Sequence, residues 1–446
     1  MVRGSQLEKT IKAASSLLAD GTNTKFWQTD MTDQNNIARL WSDFEAICDC
    51  GGRLSGTTSE GKALDLLKVL GSNAMGVTPV VESVFYQGWQ ALTSNLIGPD
   101  ERSYPVNSLV RSVATPKGGL NAEVIDLGRG SPDDFKALRT EIPGRIVMVR
   151  HELMFDPNTI HRQKKYDAAV KAGAVGFLIV GPVAGSLVSG SVGWGNENGI
   201  PAGGIAPETA EQLNRDNNGM PLVQLCIETS ETGRVAENLF FDLPGRGPGS
   251  VVLSAHIDGH DLAESAIDNA TGLAVALDVA RRLAPNAGCW KRGLRLAFFN
   301  VEEWALTGSA HHVAGLTDKE KADIALNVNL DSVAGGDRLT ALTSGFSGVE
   351  PFLSCCAADA GIDLKLFRPL QMNSDHANFA AASIPAFRLV AGFADPTAAT
   401  RLVLTDRDVR GHVKTDELVR AARLTERIVR SALVVEADEV AKWRRV

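Results

Sequence analysis

The sequence predicts an α/β protein in which a mixed, largely parallel sheet is sandwiched by helices and interrupted by a β-rich inserted domain. Three observations carry this expectation. From residue 250 onward, apolar strand-like runs alternate with amphipathic stretches, the pattern of strands buried between helices. Between about residues 106 and 234 the texture changes to short strands and glycine turns. The apolar run 251–255 ends in His256 and Asp258, with Asp268-Asn269-Ala270-Thr271-Gly272 soon after. A buried strand delivers polar groups to the carboxyl edge of a sheet in this way.

Taken in order, residues 36–70 show helical spacing. Ile37, Leu40, Trp41, Phe44 and Ile47 recur on one face, Gly56-Thr57 interrupts, and Ala63, Leu66, Leu67 and Leu70 resume, so two helices with a turn are expected. Residues 78–85 read as a strand and 94–98 as the start of another. Within the insert, residues 122–127, 145–149, 176–180 and 222–225 read as strands around a single helix at 166–172. Residues 238–243 return to strand character before the 251–255 run. Leu273, Ala276, Leu277, Ala280 and Leu283 then stripe a helix, 294–300 and 326–330 form buried strands, and Leu418, Ala421, Ala422, Ile428 and Val429 mark a terminal helix. The implied organisation is 1–105 and 235–446 as two parts of one catalytic domain, with 106–234 inserted between them.

A chain of 446 residues with 44% hydrophobic content can bury a sizeable core, and its net charge of −8 offers no basic footprint for nucleic acid. Residues 1–9 are too polar for the apolar core of a secretory signal, and no run approaches the roughly 20 apolar residues of a membrane span. A cytoplasmic protein without a membrane partner is expected, with a homodimer as the assembly. Six scattered cysteines lack a CxxC framework and read as reduced thiols, neighbouring Cys355 and Cys356 included.

His256, Asp268, Glu303, Asp331 and His412 have the chemistry of metal ligands and the placement expected at strand ends. A His/carboxylate set without thiolate suits zinc, manganese or cobalt in a hydrolytic site, and zinc is the default by abundance. If one carboxylate bridges, five side chains hold two metals roughly 3.5–4 Å apart around a water. Adjacent Glu302 and Glu303 cannot both ligate from one geometry, which frees one as general base. Asp258, two residues along the strand, is placed to orient the His256 imidazole. Each residue alone has an ordinary structural explanation, and it is their joint order that points to a site.

That order, HxD, DNATG, the Glu-Glu of FNVEEWALTGS, NLDS, then Ser374-Asp375-His376 and a late His, resembles the two-zinc aminopeptidases and glutamate carboxypeptidases, bacterial leucyl aminopeptidases among them. Arg53-Leu54-Ser55-Gly56-Thr57 fits the same family. The insert resembles the protease-associated domain through residues 143–149, 168–176 and 200–202. The resemblance implies a zinc exopeptidase fold and two divalent ions per chain. It implies that Asp268 bridges them, that His256 and Asp331 complete one site and Glu303 and His412 the other, that Glu302 is the base and that Asp258 orients His256. It also implies a cis peptide at Asp268-Asn269. His376, His260 and Arg410 are candidate substrate contacts, whereas His311 and His312 read as ordinary helix residues. The chain departs from its relatives in lacking a tyrosine beside the late His, since Tyr166 is its last. A metal, an arginine or a backbone N–H must then polarise the carbonyl.

The activity expected is hydrolysis of peptide or amide bonds in small substrates, as an aminopeptidase. Carboxypeptidase, dipeptidase or N-acyl amino acid amidohydrolase activity is the alternative, and a non-catalytic peptide-binding or receptor-like homologue the alternative of another class. A single-zinc cyclase of the same sheet is disfavoured by the full ligand set. Arg388, Arg401, Arg407 and Arg410 could serve a substrate carboxylate, although surface solvation explains most arginines.

Overall fold

The computed structural model describes residues 34–192, 199–215 and 220–446; the polar segment 1–9 lies outside them. Helices Gln34–Cys48 and Thr58–Met75 bury Leu40, Phe44, Ile47, Ala63 and Leu67. The Thr57 side chain accepts from Glu60 N, and Gly76 closes the second helix in the left-handed conformation.

Four parallel strands form the centre of the sheet, in the order Ala386–Ala391, Ile324–Leu330, Ser250–His256 and Gly293–Phe299. Almost every residue in them is buried, as expected of strands covered on both faces. Leu339–Leu342 and Leu364–Phe367 extend one edge. The helices Thr271–Leu283 and Thr415–Val434 pack on one another over this sheet. Its fold class is therefore the mixed, largely parallel α/β sandwich that the sequence indicates.

On the other side, Gly293–Phe299 pairs antiparallel with the long strand Leu222–Leu243. That strand pairs with Val80–Ile97 from Val80↔Phe240 to Ile97↔Gln224. The sequence suggested four short strands here; the structure shows two long ones, which run as an arm from the central sheet into the insert. Residues 228–234 are polar and largely exposed on the arm and carry no core pattern, while on the opposite strand buried Tyr86 and Trp89 are interspersed with exposed Gln87, Gln90 and Leu92.

In the insert, Leu120–Asp126, Ile146–Arg150, Gly176–Val180 and Ala202–Ile205 form a parallel row. Three helices accompany it, Pro132–Ala137, Arg162–Lys171 and Pro207–Arg215, where one was expected. The first has only six residues, although Ser131 and Asp134 form a complete capping box, and the third buries only Thr209, Ala210 and Leu213. All six cysteines are free thiols. Among the described residues no helix is long and apolar enough to cross a membrane.

Candidate metal centre

Parallel strands ending at one level bring their last residues together. His256 pairs in register with Phe299, and Asn329 with Ser254, so His256, the 300–303 turn and Asp331 emerge at one carboxyl edge. Asp268 reaches the same point from the loop before the Thr271–Leu283 helix. The Asp268-Asn269 peptide is cis, as the resemblance implied. Asn269 Nδ2 donates to Leu330 O at 2.9 Å, and Gly272 N donates to Asn269 Oδ1 at 3.1 Å.

His256 Nε2 lies 3.0 Å from Asp268 Oδ1 and 3.7 Å from Asp331 Oδ1. One donor atom from each of these three buried residues lies within 4.8 Å of the others. Burial alone would pull the His256 imidazole down, yet the Glu302, Asp268 and Asp331 carboxylates hold it well above its ordinary value. Burial, compounded by the carboxylates of Glu303, Asp375 and Asp331, holds Glu302 well above the ordinary range, and burial with the Asp268 charge pushes Glu303 up to about 8. Such a cluster binds positive charge strongly, and one imidazole with two carboxylates is a donor set that fits a divalent transition metal.

The supports are as ordered as the cluster. The Asp258 carboxylate accepts from Glu302 N at 3.0 Å, Glu303 N at 3.1 Å and Ser55 Oγ at 3.0 Å. The contact to His256 Nδ1, at 2.9 Å, comes from the Asp258 backbone carbonyl, where the residue spacing had suggested the carboxylate. Arg53, fully buried, donates to Ile257 O, Ser265 O and Glu264 O at 2.7–2.9 Å, which ties the loop before Asp268 to the end of the His256 strand. Asp408 accepts from Ile267 N at 2.6 Å and Asp268 N at 3.2 Å.

His412 is corrected by the structure. It is exposed, in the short turn Arg410–His412, and stands outside the three-residue group. From the same stretch of chain, Leu404 lines the cleft and Asp408 braces Asp268. Other expected contacts are also displaced. His376 and His260 are fully buried with both ring nitrogens unpartnered, and neither lines the cleft. Arg410 is tied to Glu264 and Asp49. His312 contacts Glu82 at 3.0 Å, an ordinary structural bond.

A cleft of ≈ 200 Å³ opens beside the cluster, lined by Glu302, Glu303, Asp268 and Asp331 and, from the insert, by Phe155 and Arg162. Arg388, expected on a surface loop, lies fully buried in the central sheet. Its Nη2 is 3.1 Å from Asp331 Oδ1, and its guanidinium stacks on Phe155 at 4.8 Å. No residue pattern in the sequence links Arg162 or Phe155 to the Glu302 turn, because they lie on another domain.

Comparisons with known proteins fit this geometry. The family model described as Peptidase family M28 matches residues 238–429. Residues 238–429 form an M28 peptidase domain. The PA domain model matches residues 108–213, so a PA domain is inserted ahead of the M28 domain. The chain is similar to the probable lipoprotein aminopeptidase LpqL of Mycobacterium tuberculosis, 26% identical over 75% of this chain and 69% of that protein. Aminopeptidase YwaD of Bacillus subtilis is 26% identical over 73% of this chain and 70% of its own. Among solved structures, the zinc aminopeptidase BSAP from Bacillus subtilis superposes with a TM-score of 0.72 at 23% identity, over 90% of this chain and 97% of that one. A peptidase M28 precursor from Shewanella amazonensis gives 0.74 at 17%, over 90% and 96%. The M28 domain and its PA insert thus share the architecture of these enzymes.

Proposed function

We propose that this protein is a metal-dependent aminopeptidase that hydrolyses short peptides with two divalent ions, zinc by preference. The observation that carries the reading is the convergence of His256, Asp268 and Asp331 on a cleft that also presents Glu302 and Glu303. It is supported by the aminopeptidases LpqL and YwaD, which align over two thirds or more of their length. His256, Asp268 and Asp331 would hold one ion, and Asp268 with Glu303 the other, the remaining positions being left to water and substrate. When bound, such ions acidify a water and polarise the scissile carbonyl.

Glu302 would take the proton of the attacking water and return it to the departing amine. Its raised proton affinity suits that task. Asp258 holds the Glu302–Glu303 turn by its backbone N–H groups and so fixes where both carboxylates point. We take the catalytic domain as 1–105 with 235–446 and the insert as 106–234. Sedimentation tests the expected homodimer, and fractionation of the native host the cytoplasmic location.

The test is turnover of aminoacyl p-nitroanilides, free dipeptides and N-acylated dipeptides by zinc-loaded protein, with and without a chelator. Chelator-sensitive cleavage restricted to free amino termini is expected. Glu302→Gln should retain zinc and lose on the order of 10²-fold or more in kcat. Cleavage that survives full metal removal would overturn the proposal.

A further inference from the structure

The insert brings a cation to the reacting groups. Arg162, the first residue of the Arg162–Lys171 helix, is only 6% exposed and lines the cleft together with Glu302, Glu303 and Asp331. Its Nε donates to Ser191 O at 2.7 Å, which fixes the plane of the guanidinium. At Gly190 the backbone has φ +108, and a Cβ there would fall 2.2 Å from Arg162 Cζ. The neighbouring strand of chain is thus shaped around this side chain. Nη1 is buried and has no hydrogen-bond partner.

An unused donor on a buried cation is costly unless something fills it during function. The cleft's other arginine is already committed: Arg388 holds Asp331 Oδ1, donates to Asn373 O and stacks on Phe155. Asn378 gives its amide to Leu306 O and Ser309 Oγ. Burial pulls Arg162 down to about 10, with the Glu303 and Glu302 charges acting in the opposite direction, so it stays a cation at neutral pH. With ions bound the carboxylates of Glu302, Glu303, Asp268 and Asp331 would be largely offset, and a cationic side chain on the cleft wall would add to the hold on a carbonyl oxygen turning into an oxyanion.

We propose that Arg162, supplied by the insert, is a catalytic residue whose guanidinium holds the carbonyl oxygen of the scissile bond as it becomes an oxyanion. The proposal rests on the peptidase reading above. In the step concerned, the water oxygen bonds to the carbonyl carbon, Glu302 takes the water's proton, and the C=O π pair moves onto the oxygen held by Arg162. The pair then returns, the C–N bond breaks, and the Glu302 proton passes to the amine.

The experiment compares wild type with Arg162→Lys, Arg162→Gln and Arg162→Ala on an aminoacyl p-nitroanilide and on free and amidated dipeptides. Zinc content and melting temperature are recorded for each. We expect kcat to fall on the order of 10²–10³-fold in Arg162→Gln, the usual cost of one oxyanion donor, with KM changed little and zinc content unchanged. Affinity for a phosphinic peptide analogue of the tetrahedral state should fall in parallel with kcat/KM. Guanidinium at millimolar concentration should partly rescue Arg162→Ala, and urea should not. Near-native kcat in the variants overturns the assignment. So does a loss confined to substrates with a free carboxyl terminus, which would make Arg162 a substrate anchor, or a loss that tracks zinc content and is not rescued. Wild type that cleaves no peptide when zinc-loaded refutes the peptidase reading, and this inference with it. Active wild type with active variants refutes this inference alone.

Discussion

Asp258 acts through two different atoms. Its carbonyl oxygen accepts from His256 Nδ1–H, while its carboxylate gathers Glu302 N, Glu303 N and Ser55 Oγ. Asp258→Asn keeps the carbonyl but turns one carboxylate oxygen into an N–H donor facing another donor. We expect about 10–100-fold loss of activity with zinc still bound, measured as kcat beside a chelator-competition affinity; activity within twofold of wild type would discard this role. His412→Ala, by contrast, should leave kcat and zinc affinity within about twofold, since the side chain is exposed and outside the cluster. A His at a strand end shows in the sequence because burial and residue type agree there. A backbone carbonyl bond does not, as every residue carries one. His412 stands where the family's motif order has its late His, yet it is Asp408 from that stretch that reaches Asp268. Arg388 carries a residue type that solvent usually surrounds although it sits in a buried strand, and Arg162 belongs to a separate domain, far in sequence from the Glu302 turn.

The helix Thr271–Leu283 must start hard against the sheet for Asp268 to reach His256. Gly272 permits this: a Cβ there would fall 2.5 Å from Leu330 O and 2.3 Å from Asn269 Oδ1. Gly272→Ala should therefore cost roughly 2–4 kcal/mol by pushing the helix off the strand, read as a denaturation midpoint, and should weaken zinc binding as well. Gly61 provides the contrast, within the Thr58–Met75 helix and with nothing within 4 Å of the place a methyl group would occupy. There, alanine should stabilise by about 0.5–1 kcal/mol. Equal effects at the two positions would reject the packing argument. At this scale the long buried strands and amphipathic helices were legible because their periodicity is set by one core. The Val80–Ile97 and Leu222–Leu243 arm was not, because residues 228–234 are polar and exposed and the opposing Tyr86 and Trp89 are buried against residues distant in sequence, such as Trp304 and Val110.

The two domains meet around the cleft. Ser189 N donates to Leu404 O at 2.7 Å, Ala394 N to Phe155 O at 2.6 Å, and Arg407 Nε to Ser186 Oγ at 3.1 Å. The catalytic body contributes an excess of acid to this junction, and the metal-free molecule answers by retaining protons. Burial and the Asp268 charge push Glu303 up to about 8, and burial, reinforced by the Asp258 and Asp331 charges, pushes Asp375 up to about 7. Raised carboxyl values give the metal-free fold a stabilisation that is fully present below their ordinary range and is lost as pH rises through about 7–8. A bound cation replaces those protons, so zinc binding must release them and its affinity must rise with pH. Each proton released corresponds to about tenfold in apparent affinity, or about 1.4 kcal/mol, per pH unit below the group's value. The gap in melting temperature between zinc-loaded and chelator-stripped protein is therefore expected to widen steadily from pH 6 to pH 8, chiefly because the stripped protein melts lower as the carboxylates ionise. Calorimetry on both forms at pH 6, 7 and 8 measures it. A gap independent of pH over that range would mean that Glu303 and Asp375 are already ionised without metal, and that Arg162 and Arg388 together balance the cleft.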